Sequence, residues 1–278
     1  KSMRIRDIVV HIDATAAANG RIELACGLAR QHGARLLGLF THAGKTTLGL
    51  APAHQPALLT QGARVAEATF RRIAGAFEIE TGWMVEPAAA ESAVAQGVIV
   101  QAREGDLTVL GQPDPRETAS GVPTDLIEQT VSHAGRPVLV VPYAGQFQGI
   151  GRRVVIAWNG SREAARAVAD ALPLIDGAEA VSVLSLRAKA AGRLTAAAPL
   201  EGIVAHLARH GLPATPDRLV FEANAIEAAE RLLSHLADAG ADLLVLGAAG
   251  RGRAAPGMKR SLTSGILARM TTPVLLSY

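Results

Sequence analysis

A repeat at a fixed distance is the feature of this sequence that most constrains its fold. The segments 106–111 (DLTVLG) and 242–247 (DLLVLG) agree at five of six positions and lie 136 residues apart. The segments 136–139 (RPVL) and 272–275 (TPVL) share the same spacing. Two matches in one register are hard to obtain by chance, so the 278 residues are predicted to form one structural unit twice.

Short apolar segments alternate with amphipathic ones in both halves. Aromatic residues make up only 3% of the chain, so Ala, Val, Leu and Ile must form the core, which suits helices on buried parallel strands. The alternation predicts an α/β protein with two repeated open parallel five-stranded sheets and helices on both faces of each sheet. Residues 145–151 are the expected linker between domains 1–144 and 152–278.

The expected elements follow from the periodicity of the apolar residues. In the first half the strands are 5–13, 35–41, 82–86, 107–111 and 138–141, and the helices are 16–31, 58–79, 88–103 and 124–133. In the second half the strands are 153–158, 179–186, 218–222, 243–247 and 274–277, and the helices are 161–174, 200–210, 225–239 and 260–270.

Composition excludes several classes of protein. Hydrophobic residues at 49% and charged residues at 19% exclude a disordered chain. A formal net charge of +3 is too small for a dedicated nucleic-acid binder. The single cysteine, Cys26, is expected in the core and excludes a disulfide framework. No apolar segment approaches the ~18 residues of a membrane span, and charges occupy the first residues. We therefore expect a cytoplasmic protein with no membrane or nucleic-acid partner.

A glycine-rich, basic loop in the second half is the clearest candidate for a binding site. In open parallel sheets, ligands bind beyond the carboxyl ends of the strands, where the strand order reverses. The end of the first strand and the loop 247–263 (GAAGRGRAAPGMKRSLT) should meet there. Its glycines allow backbone amides to approach an anion, and the helix that begins near Arg260 adds a positive end. With four basic residues and no acidic one, the loop is expected to bind a phosphate group.

The corresponding loop in the first half has the opposite character. Residues 111–125 (GQPDPRETASGVPTD) contain prolines, which lack an amide donor, and carboxylates, which repel a phosphate. In the register of the repeat, Asp114 takes the place of Gly250, and Asp125 takes the place of Ser261. We expect the first half to bind phosphate poorly.

These residues make the chain resemble the universal stress protein family, in its tandem form. The nucleotide-binding signature of that family, Gly-x2-Gly-x9-Gly-(Ser/Thr), lies between the fourth strand and the last helix. Gly247, Gly250 and Ser261 match it, and Arg260 stands at the third glycine. The resemblance implies a Rossmann-like fold related to the adenine nucleotide alpha hydrolases. It also implies ATP or AMP as the ligand, with or without Mg²⁺.

The resemblance places the nucleotide in the second half. The segment 154–159 (VVIAWN) corresponds to 8–13 (IVVHID), so that Asn159 would contact the nucleoside where relatives carry an aspartate. An amide can still bond a hydroxyl or a ring nitrogen, and Arg260 would either clamp a phosphate or block the site. The first half retains Asp13 but not the loop and is expected to be degenerate. The expected nucleotide-binding residues are Ala157, Asn159, Gly247, Gly250, Gly252, Arg260, Ser261 and Thr263.

These features indicate a regulatory, stress-response protein that binds an adenine nucleotide in its second domain without efficient catalysis. No catalytic residue and no metal site are expected. One alternative is a slow nucleotide hydrolase, which would need a carboxylate at the loop. Another is a protein that binds a different small ligand or acts as a scaffold. An unidentified protein partner, an internal pseudo-dimer and a homodimer are further expectations.

Three other patterns carry less weight. The segment 44–47 (GKTT) is preceded by Leu39 where a P-loop has its first glycine. The segment 250–255 (GRGRAA) follows a fourth strand rather than a first one, which argues against a dehydrogenase. His206 and His210 are four residues apart on a predicted helix, but no third metal ligand is evident.

Overall fold

The computed structural model describes residues 4–13, 15–43, 55–88, 91–116, 122–190, 193–194, 198–222, 225–248 and 262–278. The chain divides into two compact units, residues 3–149 and residues 150–278, which we call the first unit and the second unit. The division falls within the segment 145–151 that the sequence analysis marked as a linker.

The first unit alternates strands and helices throughout. Its strands are β1 (Asp7–Ile12), β2 (Arg35–Ala43), β3 (Thr81–Ala88), β4 (Leu107–Gly111) and β5 (Val138–Val141). Its helices are α1 (Ala18–His32), α2 (Gln55–Ala74), α3 (Glu91–Glu104) and α4 (Leu126–Ala134). The strands pair in parallel in the order β3-β2-β1-β4-β5.

The second unit repeats this arrangement. Its strands are β6 (Arg153–Ala157), β7 (Ala180–Ala190), β8 (Arg193–Leu194), β9 (Ala214–Glu222), β10 (Leu243–Gly247) and β11 (Val274–Ser277). Its helices are α5 (Arg162–Ala171), α6 (Glu201–Arg209), α7 (Ala225–Asp238) and α8 (Leu262–Arg269). The parallel order is β9-β7-β6-β10-β11, and β8 adds a short antiparallel pairing with β7. The predicted fold class is therefore confirmed.

The central strands are apolar on both faces because helices cover both sides of a parallel sheet. Residues 107–110 of β4 and 138–141 of β5 are all buried, and so are residues 243–246 of β10. Helix α1 ends at Gly33, whose φ of 62° is the left-handed conformation that a glycine adopts at little cost. No helix among the described residues is long and apolar enough to cross a membrane.

The bounds of several elements differ from the sequence predictions, and β7, for example, ends at Ala190 rather than at 186. Strand β9 begins at Ala214 rather than at 218, and its side chains are mostly exposed or half-buried because it lies at the edge of the sheet. Helix α2 begins at Gln55 and ends at Ala74, one residue before Gly75. The two-residue strand β8 carries no periodic signal and was not predicted.

Candidate functional site

The strand order of the second unit reverses between β6 and β10, so the carboxyl ends of these strands frame the candidate site. Leu246 pairs with Ala157, which places Gly247 beside the residues that follow β6. Asn159 is exposed at this edge, and Thr263 lies half-buried in the first turn of α8. Ala157, Asn159 and Gly247 therefore lie at one edge. The other predicted positions, Gly250, Gly252, Arg260 and Ser261, lie outside the described residues.

A hydrogen-bonded turn orients the side chain of Asn159. Its Oδ1 accepts a hydrogen bond from the backbone N–H of Ser161 at 3.0 Å. The Oγ of Ser161 in turn accepts a hydrogen bond from the backbone N–H of Ala164 at 3.1 Å and caps the first turn of α5. The turn uses one of the two lone pairs of the amide oxygen, whereas the amide nitrogen takes no part in this hydrogen bond and can donate to a ligand.

Gly247 lies directly against the start of α5. A Cβ built on Gly247 would overlap the backbone nitrogen of Ala164 and would lie 2.5 Å from the carbonyl carbon of Glu163. These are main-chain atoms of a helix and cannot move aside. A glycine is therefore required at position 247 for packing, in addition to any role in binding.

A charged cluster at this edge was missed in the sequence analysis. Glu163 is buried, and its Oε1 accepts a hydrogen bond from Nε of the exposed Arg162 at 2.7 Å. The hydrogen bond from Arg162 is the largest cause, ahead of a backbone hydrogen bond and one from Ser161, that lowers the pKa of Glu163 to about 2. The guanidinium of Arg162 also lies 5.5 Å from the ring centre of Tyr278, and its Nη2 donates to the Tyr278 hydroxyl at 3.4 Å. The sequence prediction considered carboxylates only in the loop 247–263, whereas Glu163 follows the first strand of the unit.

The connection between β7 and α6 approaches the same edge. β8 pairs with Lys189 and Ala190 of β7, beyond the last residue of β7 that pairs with β6. A Cβ built on Gly160 would lie 3.6 Å from the Cβ of Ala198, so this connection passes close to the turn after β6.

The equivalent edge of the first unit has the same turn but different neighbours. Asp13 Oδ1 accepts hydrogen bonds from the backbone N–H of Thr15 at 3.0 Å and from its hydroxyl at 2.6 Å. Asp13 Oδ2 accepts a hydrogen bond from Nη2 of Arg21 at 3.0 Å. Burial alone would raise the pKa of Asp13, but Arg21, His11 and the two hydrogen bonds from Thr15 hold that pKa well below its usual value.

One acidic residue of the loop after β4, Asp114, is also neutralised locally. Asp114 accepts hydrogen bonds from Nε and Nη2 of Arg116 at 3.0 and 2.8 Å. The Arg116 guanidinium lies 5.4 Å from the ring centre of Tyr143, much as Arg162 approaches Tyr278 in the second unit. The expected repulsion between Asp114 and a phosphate is therefore weakened by Arg116.

The remaining candidates from the sequence are Cys26, the pair His206 and His210, and the segments 44–47 and 250–255. Cys26 is buried, and burial followed by the charge of Glu23 raises its pKa to about 12, as befits a core residue. The rings of His206 and His210 lie 4.8 Å apart, but no group of three or more metal-ligating side chains occurs in the described part of the chain. The segments 44–47 and 250–255 lie outside the described residues.

Comparison with known proteins identifies the fold. No protein-family model matches the sequence, and no curated protein matches it. A universal stress protein from Archaeoglobus fulgidus DSM 4304 superimposes with a TM-score of 0.77 at 13% identity, over 98% of this chain and 95% of that one. The chain has the fold of a tandem universal stress protein.

Two structures from Pseudomonas aeruginosa support the universal stress protein fold. A protein assigned to the universal stress proteins, from strain UCBPP-PA14, has a TM-score of 0.54 and 16% identity over 98% of this chain and 93% of its own. A protein of unknown function from strain PAO1 has a TM-score of 0.55 and 15% identity over 98% and 92%. The likeness over nearly whole chains confirms the two-domain fold that the repeat and the signature predicted.

Proposed function

We propose that this chain is a regulatory protein that binds ATP or AMP in its second unit without efficient catalysis. The observation that carries this proposal is the placement of Asn159 and Gly247 at the switch point between β6 and β10, where ligands of open parallel sheets bind. The sequence that follows Gly247 is rich in glycine and in basic residues, which suits a polyphosphate.

Each part of the site would recognise a different part of the nucleotide. The amide nitrogen of Asn159, oriented by the turn to Ser161, would donate to an acceptor on the nucleoside. Backbone amides between Gly247 and Gly252, together with Arg260, Ser261 and Thr263, would bind the phosphates. If the protein is regulatory, a protein partner would have to distinguish its nucleotide-bound and nucleotide-free states. We also propose a cytoplasmic location.

A slow hydrolase is the second candidate, and Glu163 is the observation that favours it. Hydrolysis needs a carboxylate that positions water or holds Mg²⁺. The main chain of Glu163 lies beside Gly247, but its carboxylate is buried and held by Arg162 with a pKa of about 2. A carboxylate with so low a pKa is a weak base, and its paired oxygen is a poor ligand for Mg²⁺. These contacts favour binding over hydrolysis, with any Mg²⁺ brought by the phosphates of the nucleotide.

Incubation of the full chain with ATP labelled on its γ-phosphate separates the candidate functions. Filter retention measures binding, and chromatography of the bound and free label measures hydrolysis. We expect ATP to be retained intact, with turnover well below ~1 s⁻¹, the low end of the range for ordinary enzymes. Rapid release of labelled phosphate would identify a hydrolase. Failure to retain this ATP, and AMP labelled on its α-phosphate in a parallel assay, at millimolar concentration would leave the alternatives of another small ligand or a scaffold.

A further inference from the structure

The first unit has the framework of the candidate site but a different occupant. Asp13 and Thr15 form the same turn as Asn159 and Ser161, and Gly111 ends β4 as Gly247 ends β10. In the second unit the backbone of α5 packs directly on its glycine. In the first unit the side chain of Arg21 packs on the corresponding glycine, Gly111.

Arg21 is an arginine buried in the interior of the unit, with only 3% of its side chain exposed. Its Nη2 donates to Asp13 Oδ2 at 3.0 Å. A Cβ built on Gly111 would overlap Nη1 of Arg21 and would lie 2.9 Å from its Cζ. The guanidinium therefore approaches the end of β4 with its Nη1, in a space that exists only because residue 111 is a glycine.

The start of the helix explains why the two units differ. Helix α5 begins at Arg162, three residues after Asn159, whereas α1 begins at Ala18, five residues after Asp13. The later start leaves room between the helix and the end of β4, and the guanidinium fills this room. In the register that aligns 8–13 with 154–159, the position of Arg21 corresponds to Ala167, a small buried residue.

We propose that Arg21 is a built-in ligand of the first unit: its guanidinium binds Asp13 and covers Gly111, and so it closes this edge to a nucleotide. Oδ1 of Asp13 accepts two hydrogen bonds from Thr15, Oδ2 accepts one from Arg21, and only 11% of the side chain is exposed, so a ribose hydroxyl has little access to this carboxylate. The first unit is then complete without a ligand, and the chain binds at most one nucleotide. The closure of the first unit does not depend on nucleotide binding in the second.

A double-mutant cycle between Arg21 and Gly111 tests the contact. Gly111→Ala in the wild-type background displaces the guanidinium and leaves Asp13 unpaired, and we expect the melting temperature to fall by ~5–10 °C. In an Arg21→Ala background the added methyl group meets empty space, so Gly111→Ala should cost almost nothing further. Arg30→Ala, which removes an exposed arginine of the same helix, is the control and should show no coupling to Gly111→Ala. Additive effects of Arg21→Ala and Gly111→Ala would overturn the proposal.

NMR of the wild-type chain tests the closure of the first unit without relying on a variant that must fold. The Nε of Arg21 is buried and finds no hydrogen-bond partner among the described residues, so its proton should exchange slowly and give a separate NMR signal. We expect this signal to stay unchanged when ATP is added up to saturation. A fast-exchanging Arg21, or a second equivalent of ATP that shifts its signal, would overturn the closure. If ATP binds nowhere, the proposed function fails, and the cycle still decides the role of Arg21.

Discussion

Asn159 accepts a hydrogen bond from the backbone of Ser161 at 3.0 Å, and Asp13 accepts one from the backbone of Thr15 at the same distance. The same kind of turn therefore follows the first strand of each unit. The chemistry of each site then depends on the second polar atom of the Asp13 or Asn159 side chain. In the first unit that atom is an oxygen bound to Arg21. In the second unit it is an amide nitrogen that can only donate.

Replacement of the amide nitrogen of Asn159 should change the affinity for ATP without changing the fold. In Asn159→Asp the oxygen that binds Ser161 is retained, so the free energy of unfolding should stay within ~0.5 kcal/mol of wild type. The donor is replaced by an anionic acceptor, and we expect ATP to bind at least ~10-fold more weakly, measured by titration calorimetry. Equal or tighter binding would mean that the ligand donates to residue 159.

Gly247 should not tolerate a side chain of any size. In Gly247→Ala the new methyl group would meet the backbone of Glu163 and Ala164, and we expect a loss of about 2–3 kcal/mol in the free energy of unfolding. Gly202→Ala is the matched control, because Gly202 lies within α6 with no atom within 4 Å of the new Cβ, and it should stabilise by ~0.5–1 kcal/mol. Urea unfolding that ranks the two variants in the opposite order would refute the close packing of β10 on α5.

The low pKa of Glu163 predicts a specific dependence of stability on pH. Its folded-state pKa of about 2 lies below the ordinary value of 4.5, so its contribution is present above pH 4.5 and is lost as the pH falls toward 2. Glu163→Gln should therefore be less stable than wild type at pH 6, and the difference should shrink as the pH falls through this window. Urea unfolding at several pH values measures it. A difference independent of pH would show that Arg162 does not hold the carboxylate.

The single thiol should be inert in the folded chain. Cys26 is buried, and its pKa of about 12 leaves almost no thiolate at pH 8. We expect alkylation by iodoacetamide in native buffer to be at least ~100-fold slower than in denaturant. Complete labelling of the native protein within minutes would place Cys26 outside the core.

The fold could be predicted from the sequence because buried parallel strands are continuous apolar segments, such as 107–110 and 243–246. The repeat added support, because the same order of elements was predicted in both halves. It did not predict β8 or the first residues of β9, since an edge strand lacks an apolar pattern. Arg21 falls within the predicted helix 16–31, and the helical pattern does not indicate that its side chain is buried. Its burial depends on where α1 begins relative to Asp13, which local periodicity does not specify.

A titration of the full chain with ATP, followed by backbone NMR and calorimetry, tests the single nucleotide site most directly. We predict one equivalent bound per chain, with shifts at Asn159, Gly247 and Thr263 and none at Asp13. Gly250→Asp, which copies the first-unit residue Asp114, should abolish binding, whereas Asp114→Gly should leave it at one equivalent. Undiminished binding by Gly250→Asp, or shifts centred on Asp13, would contradict a site at the end of β6 and β10.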